Sequence, residues 1–135
     1  MSLNPSILER LNRARADLRM GVPVVLTGDG GAALVVAAET LAPERLEEMR
    51  ATGGPLTLAV TARRAGTLKA RAYDGDLARI AVPPDATMPW IRAVADPADD
   101  LRTPLKGPLR AQREGAAALH RAAITLTKSA QLLPA

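Results

Sequence analysis

Amphipathic helical stretches alternating with short apolar runs predict an α/β domain, layered in the α+β manner. Composition points the same way. Of 135 residues 47% are hydrophobic, yet phenylalanine is absent and Tyr73 and Trp90 are the only aromatics. Leu, Val, Ile and Ala must therefore fill the core, which suits helices packed closely on a sheet. At this length folding buries roughly two-thirds of the unfolded surface, enough for one domain without staples. A single domain over residues 4–135 is expected, and residues 1–3 have the look of an expression scar.

Residues 5–20 read as a helix, with Ile7, Leu11, Ala14 and Leu18 on one face. Asn4 is its candidate N-cap, Pro5 its first turn and Gly21 its stop. The apolar runs 22–26 and 33–38 flank a Gly-rich turn and predict a hairpin or two adjacent strands. Pro43 opens a helix through Arg50, with Leu46 and Met49 inward and Glu44, Glu47 and Glu48 outward; Gly53-Gly54 ends it. Residues 56–60 form a buried-type strand, and Thr61 caps a short helix reaching Leu68. Leu77, Ile80 and Val82 suggest a strand closed by Pro83-Pro84, and the Pro-rich stretch 96–108 reads as a loop. A last helix covers 115–133, with Leu119, Ala122, Ala123, Leu126, Ala130 and Leu133 on its apolar side.

Several function classes drop out. Without cysteine there are no disulfides, thiolate zinc sites, iron–sulfur clusters or cysteine nucleophiles. His120 is the single histidine, which excludes any site needing two imidazoles. Lys and Arg number 18 against 14 Asp and Glu, a net charge of +4. That modest excess, with no aromatics to stack bases, argues against nucleic acid. No apolar run reaches the roughly 18 residues of a membrane span, and no signal peptide opens the chain, so a cytoplasmic protein is expected.

The candidate residues each carry a plain reading beside a functional one. The turn Thr27-Gly28-Asp29-Gly30-Gly31 lacks the lysine of a phosphate loop and runs into a strand, so it reads as a tight turn. Glu39 ends an apolar run, where ligand groups often sit, but capping of the next helix is the better reading. His120 on the last helix is structural, or an acid–base group. Asp99-Asp100 has no third carboxylate nearby to complete a magnesium site. The basic residues after Leu101, among them Arg110, Arg113 and Arg121, form a solvated face or hold a phosphate.

Strings in a fixed order then resemble a known family. Arg19-Met20-Gly21-Val22-Pro23-Val24-Val25-Leu26, Leu34-Val35-Val36-Ala37-Ala38-Glu39 and Pro43-Glu44 resemble the opening of 3,4-dihydroxy-2-butanone 4-phosphate synthase. Leu56-Thr57-Leu58-Ala59-Val60-Thr61, Ile91-Arg92-Ala93-Val94-Ala95-Asp96-Pro97 and the helix ending Leu132-Leu133-Pro134-Ala135 continue the resemblance over nearly the whole chain. It implies a mixed sheet with helices packed on it, and a Mg²⁺-dependent conversion of ribulose 5-phosphate for riboflavin synthesis. The family's acidic loop, however, shrinks here to 27–33 with Asp29 its sole carboxylate. Its His-Thr-Glu string becomes Leu119-His120-Arg121, with arginine at the glutamate position.

The same degenerate pattern resembles the N-terminal portion of some bacterial GTP cyclohydrolase II proteins. The resemblance implies a catalytically silent domain, without a cofactor of its own, serving structure, dimerisation or regulation. Zinc would belong to a cyclohydrolase domain following in the same polypeptide, and a homodimer is expected. One alternative is a divergent synthase using Glu39, Asp29 and His120 with Mg²⁺. Another is a regulatory module in which Arg110, Arg113 and Arg121 bind a phosphate ligand.

Overall fold

A capping box starts the first helix. The Glu9 N–H donates to the Ser6 hydroxyl at 3.2 Å, and the Ser6 N–H donates to the Glu9 carboxylate at 2.9 Å. Helix α1 therefore spans Ile7–Arg19 with Ser6 as its N-cap, which corrects the assignment to Asn4. The reciprocal pair satisfies two orphan donors, so it outcompetes the single cap upstream. The helix closes in a Schellman turn, Val22 N–H bonding the Asp17 carbonyl and Gly21 N–H the Leu18 carbonyl. Gly21 sits at φ +78°, and a Cβ there would lie 2.5 Å from the Thr40 carbonyl oxygen, so glycine is required.

The computed structural model describes residues 3–28, 30–101 and 109–135, with the Asp99 side chain also outside that set. Strands β1 (Val24–Gly28) and β2 (Gly31–Val35) form the expected hairpin, in register from Val24↔Val35 to Gly28↔Gly31. The second strand ends before Ala37 and Ala38, which are buried in the following turn. Helix α2 (Pro43–Ala51) follows, with Leu46 inward. Its N-cap is Ala42 without a side-chain bond, so Glu39 does not cap it. Pro43 at the first turn has no N–H, which leaves one donor fewer to satisfy.

Strand β3 (Thr57–Thr61) leads into α3 (Ala62–Thr67), capped as expected by the Thr61 hydroxyl accepting from Arg64 N–H. Strand β4 (Leu77–Ala81) pairs with β3 antiparallel, from Thr57↔Ala81 to Thr61↔Leu77. Helix α4 (Met88–Ala95) then occupies a stretch to which the sequence reading gave no element; Thr87 caps it and a proline stands in its first turn. A 3-10 turn over Pro97–Asp99 interrupts the expected loop, whose residues 102–108 lie outside the described set. Helix α5 spans Ala118–Ser129, shorter than expected at both ends. Gly115 at φ +87° stands ahead of it, and Gln131 at φ +64° closes it with a second Schellman turn. Its buried residues are Ile124, Leu126 and Thr127, whereas Ala122 is exposed.

The expected mixed sheet is corrected by the strand pairing. Among the described residues there are two separate two-stranded antiparallel sheets, β1–β2 and β3–β4, plus one bridge between Ile80 and Ala111. Each strand pairs with the one that its nearest connection folds back onto it. No ladder joins β2 to β3; α5 instead packs against both sheets. The result is helices with small antiparallel sheets, an α+β arrangement.

The main core lies around β3, β4, α2 and α4, with Val60, Ile80 and Val94 fully enclosed. Two arginines close its edges. Arg64 donates to the Val94 carbonyl at 2.8 Å and the Ala93 carbonyl at 3.0 Å, and grips the Asp100 carboxylate at 2.8 and 2.9 Å. It thus satisfies carbonyls left open at the end of α4. Arg79, 1% exposed, donates to Asp74 at 2.9 and 3.0 Å and to the Gly115 carbonyl at 3.1 Å, tying the segment ahead of α5 to β4.

Candidate functional site

Residues 32–36 of the β2 region and 55–59 of the β3 region border one open groove of about 440 Å³. Successive side chains on a strand point to opposite faces, so a cavity lined by consecutive residues meets the strand edge-on. Both edges therefore face the groove. Its floor is one side of α5, through Leu119, His120, Ala123, Ile124 and Thr127. The lining is apolar apart from three threonines and His120, and contains no Asp, Glu, Lys or Arg side chain.

His120 is the titratable group of this groove. Its Nδ1 is buried and has no hydrogen-bond partner among the described residues. Burial, and then the Arg79 charge, lower its pKa from 6.5, and Asp74 opposes them more weakly. The imidazole is thus held neutral at neutral pH.

The other expected site residues do not converge on it. Glu39 is exposed in the turn after Ala38, beyond the residues that line the groove. Asp29 lies outside the described residues. Arg121 on α5 carries a two-point pair with Asp76, at 2.7 and 2.9 Å, which lowers the Asp76 pKa and raises that of Arg121. Arg113 lies over the Tyr73 ring, 5.1 Å from its centre. Arg110 is exposed, and its carbonyl accepts from Ala81 N–H. Asp100 serves Arg64.

Sequence reasoning passed over Thr127 and the groove edges of β2 and β3. One signal was available for the edges. Gly31–Val35 and Thr57–Thr61 contain no charged residue and no proline, the composition of interior strands.

Comparison with known proteins gives one relation. GTP cyclohydrolase-2 from Azospirillum brasilense is 29% identical over 137 aligned residues, which take in 100% of this chain and 36% of the relative. The chain thus spans about a third of the length of the curated relative that it matches. No family model matches it, and neither does any solved structure. No helix among the described residues is long and apolar enough to cross a membrane.

Proposed function

We propose that the chain is a synthase-like domain of a GTP cyclohydrolase II-type protein in riboflavin biosynthesis. In this reading the domain performs no synthase chemistry and serves the assembly or regulation of a longer polypeptide. The similarity to a GTP cyclohydrolase-2 along the whole chain carries the first half. The lining of the groove supports the second. Removing a proton next to a carbonyl and holding a hard divalent cation both call for carboxylates. The groove offers aliphatic side chains and one neutral imidazole, while Glu39 stands exposed outside it. Where the synthase pattern has a glutamate, Arg121 faces Asp76.

Incubation of the pure chain with ribulose 5-phosphate and Mg²⁺, with formate as the readout, tests this reading. No formate above the buffer control is expected. Formate release that disappears in Glu39→Gln would overturn it in favour of an active synthase.

A further inference from the structure

Helix α5 starts without the usual support. Its N-cap, Ala117, makes no side-chain bond to the first free N–H groups, and no acidic residue stands in the first turn. The negative charge that such a helix end favours comes instead from the turn ahead of β4. Asp76 takes the two-point bond from Arg121, at 2.7 and 2.9 Å. Asp74 holds Arg79, which is 1% exposed. Arg79 in turn donates to the Gly115 carbonyl at 3.1 Å and the Ala116 carbonyl at 3.4 Å. Two aspartates and two arginines thus tie the start of α5 to one turn, with their charges in balance.

His120 stands one residue before Arg121, in the same turn. Its Nδ1 is buried with no partner among the described residues, and Arg79 and Asp74 are the charges that act on the ring. Strands β1, β2 and β3, on which α5 packs, contain no titratable residue. Helix α1 meets α5 at its far end, where Arg15 donates to Ser129 at 3.0 Å and Arg19 to the Ala130 carbonyl at 3.4 Å. A proton added to the ring puts an N–H on both nitrogens. The one on Nδ1 would be buried without an acceptor, in a cation beside Arg79 whose nearest carboxylate already serves Arg79. Release of that turn into water relieves both costs.

We propose that His120 makes this tie an acid-released latch. While the ring is neutral, the Asp74–Arg79 and Asp76–Arg121 pairs hold the first turn of α5 in place. When the ring takes up a proton, that turn swings out about Gly115, where a φ of +87° suits glycine. Leu119 and His120 leave with it, and the groove loses part of its floor. The latch requires no particular role for the domain, so its failure would leave the functional reading standing.

Amide exchange followed by NMR from about pH 7.5 to about pH 5, with intrinsic rates divided out, tests it on the wild type and on His120→Gln. The Arg121 amide, which bonds the Ala117 carbonyl at 2.9 Å, is the reporter. Its protection is expected to fall about threefold or more further in the wild type than in the variant. At both ends of the range it should exchange faster than the paired amides of β4, the mark of an opening short of global unfolding. The ring protons of His120 in the folded chain should titrate below 6.5. Equal losses in wild type and variant overturn the proposal, and so does Arg121 protection equal to that of β4. A ring that titrates at or above 6.5 overturns it whether or not the variant folds.

Discussion

The two antiparallel strand pairs are built from similar residues and meet opposite fates. In β3–β4 the chain buries both faces of β4, with Leu77, Ala78, Arg79 and Ile80 all enclosed. In β1–β2 one face packs Val24 and Leu26 onto Leu18, Ala37 and Leu126. The other leaves Val25 63% and Leu34 46% exposed, although they are opposite one another in the register. Helix α1 shares this openness: Leu18 is fully buried, while Ile7 at its start is 78% exposed. Apolar composition alone therefore does not fix burial. What separates the two strand pairs is the covering layer, since α4, α2 and the arginine staples enclose only the second.

The largest expected effect tests that contrast directly. Ile80→Ala removes a fully enclosed side chain and should cost about 2–5 kcal/mol of unfolding free energy. Leu34→Ala, on the exposed face, should stay within about 0.5 kcal/mol. Urea unfolding followed by Trp90 fluorescence measures both. Similar losses at the two positions would mean that the first hairpin is covered in solution.

A smaller effect concerns the groove bordered by β2 and β3. The His120 pKa is lowered in the folded chain, so between that value and 6.5 the unfolded chain binds more protons. Stability should thus fall as pH drops through that window and be constant, for this group, above it. Arg79 and Asp74 are the charges that face the imidazole, and the exchange of His120 for Gln keeps both. The Gln variant should lose this part of the pH dependence in urea unfolding between pH 5 and 8, taken as roughly the range of histidine titration. An unchanged pH profile would show that His120 titrates as it does in the unfolded chain.

Local signals in the sequence were legible where a single residue type decides the structure. Thr61 before a short helix, Pro43 at a first turn and Gly21 at a positive φ are such places, and the elements they bound form where expected. Ser6 with Glu9, and Thr87 ahead of Pro89, carried equally local signals that composition and periodicity passed over. The partnership of β1 and β2 was legible from the Gly-rich turn between them; that of β3 and β4 was not, because α3 and a further loop separate the two strands. The burial of Arg79 was hidden for a related reason. It stands in a strand whose two faces are both covered, where the alternation that usually marks an outward residue does not apply. The scarcity of carboxylates in residues 27–33 and 119–121 could be read directly from the sequence. The groove that borders His120 required three dimensions.

Native-state amide exchange on the unmodified chain tests most directly whether that groove is open. In β2 and β3, amides bonded to the partner strand should exchange slowly and the alternate, groove-facing amides quickly, while β4 is protected throughout its paired residues. That alternation is the expected result. Uniform protection along β2 and β3 would contradict it, because both edges would then already be paired.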